Sequence, residues 1–93
     1  MEFNNEIVEF INRYSNIKVE YNNTENVIKN IDMLHKDILK NLDLQKEISR
    51  EERNIICDEI ILATGALERI KNILMEKMNE MQYDYNKEDM DRE

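Results

Sequence analysis

"FNNEIVEFINRYSNIKVEYNNTENVIKNIDMLHKDILKNL", residues 3–42, places a selected side chain at every third or fourth position. The series runs Phe3, Ile7, Phe10, Tyr14, Ile17, Tyr21, Thr24, Ile28, Ile31, His35, Ile38 and Leu42. Only Thr24 and His35 depart from large apolar or aromatic character. A 4-3 alternation sustained over this length is the pattern of a long helix that buries one seam against another helix. The stretch therefore predicts a helix over about 3–42. One local signal opposes continuity: Asn22 is followed three residues later by Glu25, as in a capping box. A break near 15–23 gives a short helix, a linker and a second helix.

A second helix is predicted from Ser49, because "SREE" pairs a capping serine with Glu52 three residues on. Its seam reads Ile56, Ile60, Ala63, Leu67, Ile70, Leu74, Lys77 and Met81, with Ile55, Leu62, Ala66 and Ile73 on an adjoining stripe. The two stripes span roughly 160° of the helix, an arc wider than one neighbouring helix covers. Between the helices, "DLQKEI" (43–48) is a short connection of the kind that joins antiparallel neighbours.

The predicted architecture is all-α: a single helical domain over 1–82, with helices at about 3–42 and 49–82 and a turn at about 43–48. It reads as a long antiparallel helical hairpin that completes a four-helix-type bundle by self-association. The homodimer or higher homo-oligomer has Tyr14, Tyr21, Ile28, His35, Ile60, Leu67, Ile70 and Leu74 as candidate seam residues. The alternative is a monomeric three-helix bundle, broken near Asn22. The final "YDYNKEDMDRE" (83–93) is poor in apolar residues and reads as a flexible acidic tail.

Composition narrows the function classes. The chain has 93 residues, no Pro, one Gly and a charged fraction of 37%, which favours solvated helices over a turn-rich β fold. Thirteen basic and 21 acidic residues leave a net charge of −8, so direct phosphate-backbone binding is not expected. No run approaches the roughly 18 apolar residues of a membrane span. "MEFNNEIVEF" is acidic where a signal peptide is basic, and one Cys makes no internal disulfide. A cytoplasmic location is the expectation. The abundance of Asn, Ile and Lys indicates a host cell, bacterial or other, with a low-GC genome.

Motifs for chemistry are sparse. Folding the hairpin about residue 46 brings His35 level with Cys57, but each is the sole residue of its type. A metal site or nucleophilic centre needs further ligands or triad members. His35 reads instead as a polar seam residue that fixes register. Acidic pairs such as Asp58/Glu59 and Glu51/Glu52 lie among bases at helical spacing, as on solvated faces. No enzyme activity, catalytic residue, cofactor or metal ligand is predicted.

Two features point to a partner. In a hairpin, residues 1–14 and 76–93 share one end, where ten acids face four bases. Such an acidic pole steers towards a protein with a basic surface. Near it, Met75, Met78 and Met81 lie level with Phe10, Tyr14 and Ile17, an ordinary core composition and also that of adaptable binding surfaces. The second feature is "ATGA" (63–66), which gathers every Ala and Gly of the chain. On a helix Ala63 and Ala66 thin the apolar arc, while Gly65 falls on the polar face with Arg69 and Glu76. The candidate contact set is Ala63, Thr64, Gly65, Ala66, Arg69, Glu76 and Glu80.

The functional expectation is a small acidic helical protein acting by protein–protein interaction. By base rates it is an inhibitor or regulator of a larger host complex, of phage or mobile-element anti-defence type. The alternative is a bundle that binds or sequesters a small ligand between helices or subunits.

Overall fold

Three helices in chain order make up the computed structural model, which describes residues 2–91 and the side-chain surroundings of residues 5–87. They are α1 (Glu2–Lys40), α2 (Leu42–Glu47) and α3 (Arg50–Asp91), with no strand among the described residues. The chain is all-α. Phe10, early in α1, stacks on Tyr85, late in α3, and the Lys71 ammonium lies 5.7 Å from the Tyr21 ring centroid midway along. Those two contacts make α1 and α3 antiparallel. The envelope is 68 × 19 × 13 Å, two helices wide and one helix thick. Its radius of gyration is 20.8 Å, against about 13 Å for a compact domain of similar length.

α1 passes through residues 15–23 without a break, contrary to the capping reading of Asn22 and to the three-helix bundle built on it. The reason lies on either side of Asn22. Tyr21 and Thr24 are held half-buried in the seam, and the Thr24 hydroxyl donates to the Glu20 carbonyl at 2.8 Å. The hydroxyl is thereby satisfied inside the helix instead of competing with it. From Ile7 to Ile38 every residue of the 4-3 series is half-buried, as the spacing predicts. The side chain of Phe3 lies outside the described residues. Leu42 leaves the series and is 72% exposed.

Leu42 departs because the chain bends one residue earlier. Asn41 is extended (φ −78°, ψ 101°), and its side chain accepts a 3.0 Å hydrogen bond from the Leu44 N–H, capping α2. Gln45 Nε2 donates to the Leu39 carbonyl at 2.7 Å and ties α2 back to α1. Ile48, also extended, ends α2. The expected turn at 43–48 is therefore a short helix between two extended residues, and no residue needs positive φ. Half-buried Leu44 and Ile48 close this end of the seam in place of Leu42.

α3 begins on a reciprocal capping box. The Glu52 N–H donates to Ser49 Oγ, and the Ser49 N–H donates to Glu52 Oε1, both at 3.0 Å. Its buried row is turned by half a step from the predicted one. Ile60, Leu67, Leu74 and Met81 are shared, but Thr64, Lys71 and Met78 alternate with them where Ala63, Ile70 and Lys77 are predicted. The predicted row would carry Lys77, and then Asp84, into the seam opposite Tyr14 and Phe10. The observed row brings Met78 and Tyr85 there instead, and Lys71 sets its charge over the Tyr21 ring.

Residues 83–91, read as tail, continue α3 as helix. Tyr85 extends the seam by one position and stacks on Phe10 with ring centroids 4.4 Å apart. Residues 92–93 of the expected tail lie outside the described residues.

The resulting core is thin. Among the described residues only Ile60, Met78 and Met81 are buried, at 9%, 7% and 7% exposure. Ion pairs add little: Lys36–Asp32 (2.9 Å), Lys46–Asp43 (3.9 Å) and Lys77–Glu80 (3.8 Å) are exposed pairs within single helices.

Candidate functional site

The half-step rotation of α3 decides which apolar residues remain at the surface. In an antiparallel pair, the residues one position before Tyr14, Tyr21, Ile28 and His35 share a side with those one position before Cys57, Thr64, Lys71 and Met78. In the half of the hairpin nearest α2, that side carries Val27 and Leu34 from α1 and Ala63 and Ile70 from α3. Ala66 and Ile73, then Leu62 and Ile55, continue the apolar surface around α3. Val27, Leu34, Ile55, Leu62, Ile70 and Ile73 are all exposed, Leu62 and Ile73 to 65%. The opposite side of the seam carries Lys18, Glu25 and Asp32 from α1 and Glu68 from α3. Exposed Ile11, Leu39, Ile61 and Met75 share those rows, so this side is mixed, whereas the first is apolar around α3.

The sequence-predicted contact set is divided among three places. Ala63 and Ala66 lie on the apolar face, Ala63 exposed and Ala66 half-buried. Thr64 sits in the α1–α3 seam, where its hydroxyl donates to the Ile60 carbonyl at 3.0 Å. Gly65 lies on the outer side of α3, and a Cβ built there would meet only Arg69 Nη1, at 3.6 Å. Glu76 and Glu80 line a shallow depression on the outside of α3 with Asn79, Tyr83 and Asp84. No single site gathers all seven.

Of the candidate oligomer seam, Tyr14, Tyr21, Ile28, His35, Ile60, Leu67 and Leu74 are occupied between α1 and α3 of one chain. Ile70 is the exception, 47% exposed on the apolar face. Intrachain packing has taken the row that the sequence offers most plainly.

His35 and Cys57 are both half-buried on the facing rows. Among the described residues no group of three His, Cys, Asp or Glu side chains is placed to hold a metal ion. No helix there is long and apolar enough to cross a membrane.

Among the described residues two ionisable groups are perturbed, both by structure within the hairpin. Burial against the seam raises the Tyr21 phenol above its usual range, its hydrogen bond with Glu25 adds to this, and the nearby Lys71 charge opposes it. Hydrogen bonds from the Ser49 N–H and hydroxyl lower the Glu52 carboxyl below the ordinary glutamate range.

Sequence reasoning passed over Val27, Leu34, Lys71 and Tyr85, and it placed Met78 near the aromatics of α1 without giving it a place in the seam of α3. A second regular series did exist: Cys57, Ile60, Thr64, Leu67, Lys71, Leu74, Met78, Met81 and Tyr85 alternate in steps of three and four. Thr64 and Lys71 hide it from a hydrophobicity pattern. Comparison with protein-family models, curated proteins and solved structures finds no match for this chain.

Proposed function

We propose that this chain is a non-enzymatic helical protein that acts by association with other polypeptides. One observation carries the reading: two helices cover only one seam, leaving Val27, Leu34, Ile55, Leu62, Ile70 and Ile73 together at the surface. A contiguous exposed apolar face of this kind marks an interaction surface. Self-association into a four-helix-type bundle covers it, and the acidic end supplies a second feature, complementary to a basic protein surface. In that role the protein regulates or inhibits the larger complex on which it docks.

The test is native mass spectrometry of the protein purified from cells, beside an Ile70→Lys/Ile73→Lys variant. The expected result is a protein assembly above 11.3 kDa that the variant does not form. A small-molecule adduct on a monomer, retained in the variant, overturns the reading in favour of ligand sequestration.

A further inference from the structure

We infer that a second copy of this chain covers the apolar face, with α3 packed antiparallel on its partner's α3 about a two-fold axis between Ala63 and Ala66. The inference rests on association through this face and specifies its occupant and geometry.

Surface area makes a second copy the natural occupant. The hairpin exposes 7655 Å², about 1,900 Å² more than the roughly 5,700 Å² expected of a compact 11.3 kDa monomer. A stable homodimer removes about 1,000 Å² or more from each subunit. The excess is therefore ample for such an interface.

Two arrangements place the apolar faces of two hairpins together with two-fold symmetry, and two observations choose between them. An axis along the hairpin's length lays α3 over the partner's α1. Next to Val27 and Leu34, that side of α1 presents Asn23, Asn30 and Asp37, all exposed. An axis across the length lays α3 over α3 instead. Ala63 and Ala66 then allow close approach, and Ile73 of each copy falls level with Ile56 of the other. Only the second arrangement sets the apolar rows of α3 against each other; in it Glu59 comes level with Ile70 of the other copy, and Asn23 and Asn30 face the other copy's α1 instead of its α3.

Charge selects the same arrangement. The lengthwise axis puts both acidic ends side by side, bringing Glu6, Glu9, Glu76, Glu80 and Asp84 of each copy close to those of the other. Helices in contact lie about 8–10 Å apart, close to one Debye length, so that repulsion is only partly screened. The transverse axis sends the acidic ends to opposite poles. Each then runs past the partner's α2 end, where residues 36–55 hold five acids and five bases.

The geometry gives measurable lengths. From the axis to Asp91 is about 40 Å at 1.5 Å per residue, so the dimer spans about 80 Å. Gln82 is exposed, and nitroxides on a Cys57→Ser/Gln82→Cys variant lie about 50 Å apart across this axis. About the lengthwise axis they lie within about 30 Å. Light scattering and small-angle X-ray scattering of the unmodified chain accompany the spin-label measurement, so the outcome does not depend on the variant. Twice the 11.3 kDa mass, a maximum dimension near 80 Å and the long spin–spin distance are expected. A dimer with the short distance, or with the length of a single hairpin, overturns the arrangement. A monomer at high micromolar concentration overturns the second copy. If Ile70→Lys/Ile73→Lys still strips a different protein from that monomer, association through the face stands while the self-pairing falls.

Discussion

Phe10 and Tyr85 stack with their ring centroids 4.4 Å apart and their planes 28° from parallel, joining the start of α1 to the end of α3. The pair closes the acidic end of the hairpin and draws residues predicted as tail into the helix. A stacked aromatic pair contributes about 0.5–1.5 kcal/mol beyond its buried area. A double-mutant cycle of Phe10→Leu and Tyr85→Leu, read by urea denaturation, is expected to return a coupling in that range. Full additivity would mean that the stack adds no pair-specific stability.

Gly65→Ala is expected to stabilise the protein by about 1 kcal/mol, the difference in helix propensity between the two residues. A new Cβ meets only the flexible end of Arg69, at an ordinary contact distance. The glycine has no positive φ that an alanine would strain. Thermal denaturation followed by circular dichroism measures the change. A fall in the midpoint would show that the outer side of α3 is bent or covered at Gly65.

Ser49→Ala removes one half of the capping box, and a loss of about 0.5–2 kcal/mol is expected. The pH dependence has a definite sign. Glu52 has a lowered pKa in the folded chain, so its contribution is present above the unfolded glutamate value of 4.5. That contribution is lost as pH falls through the lower folded value. Carbon-13 NMR titration should find Glu52 below 4.5 in the native chain and raised in Ser49→Ala.

Tyr21 is expected to behave in the opposite sense. Its folded pKa is raised above 10.0, so the unfolded chain gives up the phenolic proton first. Stability from Tyr21 is therefore present below pH 10 and lost as pH rises through the unfolded and then the folded value. Ultraviolet titration of Tyr21→Phe should lack a phenolate component that titrates above 10.0 in the native chain.

Lys71 holds a seam position through its contact with the Tyr21 ring. A cation over an aromatic face contributes about 0.5–1 kcal/mol where partly exposed. The cycle Tyr21→Leu with Lys71→Met is expected to show that coupling in chemical denaturation. Zero coupling would leave Lys71 in the seam for its aliphatic stem alone.

How much was legible depended on how far each feature is local. The α1 seam from Ile7 to Ile38 and the Ser49–Glu52 cap are written in spacing and short-range chemistry, and both appear in the structure. The cap-like signal at Asn22 failed because Tyr21 and Thr24 are held in the seam on either side of it. Asn41 as the cap of α2 was missed because no glycine or proline marks the bend; an asparagine side chain and two extended residues make it.

By itself the sequence determined that this protein is helical, long and antiparallel, since period and capping act within a few residues of the chain. The tertiary structure decided which of two adjoining rows of α3 faces α1. That choice depends on contacts between residues far apart in sequence, Tyr85 stacking on Phe10 and Lys71 lying over Tyr21. A helix with apolar residues on both sides of Ile60, Leu67 and Leu74 can bury either side, and only the partner helix selects one. The side it rejected, with Ala63, Ile70 and Ile73, is the surface left for another chain.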